Sequence, residues 1–101
     1  MIKLVEVRRN NRYTNNKTNE EQYTLHEVYI NPSHVVAIRE DERALQHLRE
    51  GLMPSGLDAR QGFTKLHLQR GQNGLDITVI GDPGVIETKM MTSMQRVLLK
   101  G

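Results

Sequence analysis

Two neighbouring segments carry hydrophobic residues at every second position. In Phe63 to Arg70, Leu66 and Leu68 alternate with Lys65, His67 and Gln69. In Leu75 to Ile80, Leu75, Ile77 and Val79 alternate with Asp76 and Thr78. A period of two is the signature of a strand with one face buried. Gly71-Gln72-Asn73-Gly74 joins the segments, with Asn73-Gly74 as a turn pair, and predicts a hairpin. Leu66, Leu68, Ile77 and Val79 then face the core, and Lys65, His67 and Thr78 face away. On this register a carboxylate at Ile77 abolishes folding, whereas one at Thr78 is tolerated.

A second pattern runs from Val28 to Arg39. β-formers flank Asn31-Pro32, a turn pair whose proline fixes its own φ and pushes Asn31 towards an extended conformation. This predicts a strand over 23–30, a tight corner, and a strand over 35–39. Ile2 to Arg8 reads as the first strand, with apolar residues on both faces and therefore cover on both sides. Arg9 to Gln22 is almost wholly polar and reads as a long loop or a protruding hairpin.

Helical spacing appears twice. Ala44, Leu45 and Leu48 give an apolar edge to a short helix opened by Glu40-Asp41-Glu42 and ended by Gly51. After a loop from Leu52 to Gly62, Asp82 is a good N-cap and Pro83 a good first residue for a C-terminal helix. Its stripe is Ile86, Met90, Met94 and Val97, and it ends near Leu99. A short strand over 85–90 before a shorter helix is the competing reading. The elements define a mainly β protein: a small, bent, five-stranded antiparallel sheet with a short helix and a C-terminal helix, in one domain over 1–101. Strands this short satisfy their edges by curling into a small barrel or by pairing with a neighbour.

Composition sharpens this. Aromatic residues are 4% of the 101 residues, a thin supply for a monomer core, so association is expected. The methionines Met90, Met91 and Met94 suit a subunit interface as well as a core. There is no cysteine, which excludes disulfides and thiolate zinc sites and suits a reducing compartment. No apolar run is long enough to span a membrane, and the N-terminus does not read as a signal peptide. A cytoplasmic protein is expected.

Catalytic and metal chemistry find little support. His26, His34, His47 and His67 lie on separate elements, with no helical zinc spacing. Ser33 and His34 are adjacent in an extended segment and point apart, a poor nucleophile–base pair. The tetrads Gly71 to Gly74 and Gly81 to Gly84 read as turn glycines. No enzyme activity, metal or cofactor is expected.

The net charge of +2 is a weak pointer to nucleic acid. Its distribution says more. Arg8, Arg9, Arg12 and Lys17 cluster with Tyr13 and several asparagines. Guanidinium groups for phosphates, an aromatic ring for stacking and amides for base edges are the chemistry of single-strand binding. The corner supplies two further candidates, Asn31 and His34.

Tyr29 to Ile38, the hairpin and the trailing helix resemble small accessory proteins of phages, particularly those of marine cyanobacteria. The strand-corner-strand phrase also resembles the small flagellar proteins called FlbD. At fold level the five bent strands are similar to the Sm-like barrel of Sm, LSm and Hfq proteins, which are ring-forming RNA binders. That resemblance implies base contacts at the loop between strands two and three, here Asn31 through His34. It implies a second set at an Arg-Gly turn between strands, with Val79-Ile80-Gly81 as its nearest text. It also implies a homo-oligomeric ring, single-stranded RNA as partner, and, for a phage protein, the cytoplasm of an infected bacterium. The alternative is a protein-interaction module that binds a host or phage protein through its helix or sheet edge.

Overall fold

The computed structural model describes residues 1–9 and 23–100, with side chains described as far as residue 93. Five strands form one antiparallel sheet: β1 (Ile2–Arg9), β2 (Tyr23–Ile30), β3 (Val35–Glu40), β4 (Phe63–Arg70) and β5 (Asn73–Ile80). The helices are α1 (Glu42–Arg49) and α2 (Pro83–Lys100), and a 3-10 turn, Pro32–His34, joins β2 to β3. No helix among the described residues is long and apolar enough to cross a membrane.

The strand order is β2-β1-β5-β4-β3. Each strand pairs with its chain neighbour except at the corner, where β2 and β3 do not pair. The sheet is therefore open, and the barrel half of the sequence expectation is corrected. The reason lies in the junctions. β1 runs beside β2 along the whole strand, from Ile2 opposite Ile30 to Arg9 opposite Tyr23. It meets β5 at only two residue pairs, Glu6–Val79 and Val7–Thr78. The β1–β2 ribbon thus joins the β3–β4–β5 unit at one corner, and the seam opposite is left unbonded.

Alternation places a core on each face of the sheet. Ile2, Leu4, Ile30, Leu66 and Val79 form the first cluster, closed by Ile86 of α2, which is fully buried, and by Met90 one turn on. Val7, Phe63, Ala44 of α1 and Met53 form the second, with Leu45, Leu48 and Leu57 packed against it. The expected two-sided cover of β1 is found: Ile2 and Leu4 enter one cluster and Val7 the other. The 52–62 loop contributes to that cover, since Met53 is buried.

Local chemistry explains the joints. Asn31 turns the corner by accepting hydrogen bonds from the Ser33 amide at 3.0 Å and its hydroxyl at 2.8 Å. Asp41 caps α1 by accepting from the Ala44 amide at 3.0 Å. Between β5 and α2 the chain turns at Gly81, whose φ of 124° suits only glycine. The buried Thr64 donates to the Gly81 carbonyl at 2.7 Å and fixes that turn.

Two readings of the hairpin change. Arg70 pairs with Asn73, so the turn is Gly71-Gln72 alone, and Asn73-Gly74 belongs to β5. Gly71, at φ 64°, is followed by a residue of negative φ, the pattern of a type II′ turn with glycine first. The second change concerns Thr78. It does face away from the first core, but α1 lies over that face, and its hydroxyl donates to Asp41 at 2.6 Å. A position read as solvent-facing is the anchor of a helix.

Candidate functional site

The open seam holds a cleft of about 500 Å³. One wall is the end of β2 and the corner, with Tyr29, Asn31 and His34; the other is the β4–β5 turn region, with Gln69, Arg70 and Asn73. Its floor is apolar, from Ile30, Leu68 and Leu75. Tyr29 is 63% exposed, so its ring has an open face for stacking. Arg70 is the one charged side chain among the described lining residues. An apolar floor ringed by an aromatic ring, amides, an imidazole and a guanidinium suits a flat, polar-edged group such as a nucleobase.

The corner geometry limits what Asn31 offers. Its side-chain oxygen is committed to Ser33, so the amide NH2 is what it presents to a ligand. His34 ends the 3-10 turn, where its amide donates to the Asn31 carbonyl at 2.9 Å, and its imidazole is exposed.

The remaining predicted residues lie elsewhere. Arg8 pairs with Thr24 and Arg9 with Tyr23, at the far end of the β1–β2 ribbon from the Ile2–Ile30 pair beside the corner. Six strand steps put about 20 Å between them. Arg8 is engaged by Glu6, Nε to Oε1 at 3.1 Å, on the same side of the strand. Arg12 and Lys17 lie outside the described residues. The structure thus joins Asn31 and His34 in one cleft and does not bring Arg8 or Arg9 to it.

Gly81 leads into α2 and is not among the residues that line the cleft. The β4–β5 turn region does line it, and there Arg70-Gly71 stands between two strands. The alternation that marks the hairpin does not distinguish Gln69, Arg70 and Asn73 as site residues. The visible signal was the Arg-Gly pair at the end of Phe63 to Arg70.

The histidines serve separate sites. His26 contacts the Thr24 hydroxyl at 2.9 Å, His47 hydrogen-bonds the Tyr23 hydroxyl, and His67 Nδ1 meets Asp76 at 2.7 Å. Among the described residues no three His, Cys, Asp or Glu side chains gather to hold a metal ion. Burial raises the Tyr23 phenol above its ordinary range; the Asp41 carboxylate adds to this, and the cations Arg9 and Arg43 work against it. Burial also works against ionisation of Asp41. Hydrogen bonds from Thr78 and the Ala44 and Arg43 amides, with the Lys65 cation, outweigh it and hold the carboxyl below the usual range.

The chain matches no protein-family model, and no curated protein or solved structure matches it.

Proposed function

We propose that the protein is a non-catalytic binder of single-stranded nucleic acid, RNA favoured, and that it works as a ring-forming homo-oligomer. The observation that carries this is the seam cleft. It sets Tyr29, Asn31 and His34 against Gln69, Arg70 and Asn73 over an apolar floor. These are groups that stack on a base and hydrogen-bond its edge.

The open sheet supports the oligomer half of this reading. β2 and β3 are both edge strands, and a head-to-tail pairing of one edge with the other generates a ring when the rotation closes. A ring repeats Arg70 and its neighbours around one surface, which raises avidity for a strand that one copy holds weakly. The test is a fluorescence titration of the intact protein with mixed-sequence RNA and DNA single strands, beside sedimentation of the same sample. Saturable RNA binding by a species larger than 11.6 kDa supports the reading. A monomer that binds neither strand at low salt and tens of micromolar protein defeats it.

One observation favours a second reading. β2 is an eight-residue edge with no Lys, Pro or bulge to guard it, and Leu25 and Tyr29 on it are exposed. Such an edge accepts an extended segment of another protein by strand addition. A partner peptide that protects β2 amides from hydrogen exchange, with no RNA bound, would favour this function instead.

A further inference from the structure

The like-charged side chains Arg39 and Lys65 stand directly opposite one another on β3 and β4. Directly opposite residues in an antiparallel pair share a face, with Cβ atoms about 5 Å apart, and like charges there repel. Among the described residues neither makes a salt bridge. Lys65 acts electrostatically on Asp41, whose carboxylate is also bonded to Thr78 and Ala44. Thr78 completes the row, opposite Lys65 on β5. Arg39 is exposed and Lys65 half-buried, and the two cations together exceed the single Asp41 carboxylate that Lys65 acts on, so the pair can take a further anion that bridges them.

This pair reaches the rim of the cleft through Gln69, while the floor residue Leu68 faces the other side of β4. Lys65, His67 and Gln69 alternate along one face of β4, and Gln69 lines the cleft. Four strand steps separate Lys65 from Gln69, about 13 Å. Asp76 faces the same rows, but its carboxylate is held by His67 at 2.7 Å. Glu40, opposite Thr64, belongs to the other face.

We propose that Arg39 and Lys65 form a phosphate site, and that a strand seated in the cleft runs along β4 to place its backbone phosphates on this pair. The proposal rests on the nucleic-acid reading above and adds direction and contact residues to it. The cleft holds a base; the β3–β4 cation pair holds phosphates further along the same strand.

The two parts separate by salt dependence. Each phosphate neutralised on a single strand steepens the log–log salt slope by roughly 0.7, so two contacts contribute roughly 1.4. A labelled twelve-nucleotide RNA is titrated from 50 to 200 mM salt against wild type, Arg39→Gln/Lys65→Gln and Tyr29→Ala. Over that range wild type should lose roughly sevenfold more affinity than the double variant. Tyr29→Ala should weaken binding at every salt concentration and leave the slope as it is. Arg39→Gln alone, at an exposed edge position, should flatten the slope by about half as much, and covers the case in which the double variant misfolds. RNA binding with the same slope in wild type and Arg39→Gln overturns the phosphate site and leaves the nucleic-acid reading standing. Failure of wild type to bind RNA overturns both.

Discussion

Thr78 donates its hydroxyl hydrogen to the Asp41 carboxylate at 2.6 Å, and this one bond ties the N-terminus of α1 to the middle of the sheet. The other Asp41 oxygen caps the helix through Ala44, and the Asp41 amide donates to the Phe63 carbonyl at 3.0 Å. A single buried residue therefore links α1, β4 and β5. The second core cluster, with Val7, Phe63 and Ala44, closes around that link.

Thr78→Val should destabilise the fold by about 1.5–3 kcal/mol, the range for a hydrogen bond to a charged group. Thr78→Asp should cost more, because two carboxylates then face each other. Ile77→Asp, against the first core, should cost several kcal/mol and unfold the chain. Urea denaturation of the three variants checks the order. A Thr78→Asp protein as stable as wild type would contradict the Asp41 link.

The Asp41 carboxyl titrates below its ordinary value in the folded protein. The folded state thus binds this proton more weakly than the unfolded state does. The stability it contributes is complete above the unfolded pKa near 4 and is lost as pH falls through the lower folded value. Asp41→Asn keeps a capping oxygen but no charge. Its melting temperature should be lower at neutral pH and should fall less than that of wild type below pH 4. Parallel melting curves for the two proteins down to pH 2 would contradict this.

Most of the fold was legible because alternation and capping are local signals. β2 begins and ends as its β-formers and the Asn31-Pro32 turn predict, β4 as the alternation predicts, and Asp41, Gly51 and Pro83 bound the helices as their chemistry predicts. The Thr78–Asp41 bond was not legible, because it joins residues far apart in the chain through a helix whose position alternation does not give. The cleft was half legible. The turn chemistry of Asn31-Pro32 marked one wall, but Gln69, Arg70 and Asn73 become site residues only when the open seam sets them across from it.

Two glycines should respond oppositely to alanine. A Cβ at Gly62 would overlap the Asp82 carboxylate and crowd the Asp82 backbone, just where Gly81 donates to the Gly62 carbonyl at 2.9 Å. Gly62→Ala should cost about 1–3 kcal/mol. Gly84, in the first turn of α2, has open space around it, and Gly84→Ala should stabilise by about 0.4–1 kcal/mol. Thermal melts of both variants decide this.

Asn31 holds the corner and lines the cleft, and two substitutions separate these roles. Asn31→Ala removes the acceptor for Ser33 and should cost about 1 kcal/mol. Asn31→Asp keeps the acceptor but offers a ligand an anion in place of the NH2 group. It should fold with near wild-type stability and bind RNA more weakly, with altered base preference. Equal RNA binding by Asn31→Asp and wild type would remove Asn31 from the site.

The cleft is tested most directly by titrating one fluorescent single-stranded RNA with wild type and with Tyr29→Ala/Arg70→Gln. Both side chains are exposed at the seam, so the variant should fold normally by thermal melt. Wild type should bind saturably and release the strand as salt rises, and the variant should bind at least tenfold more weakly. Equal binding by the two proteins, or none by wild type at low salt, would contradict the account.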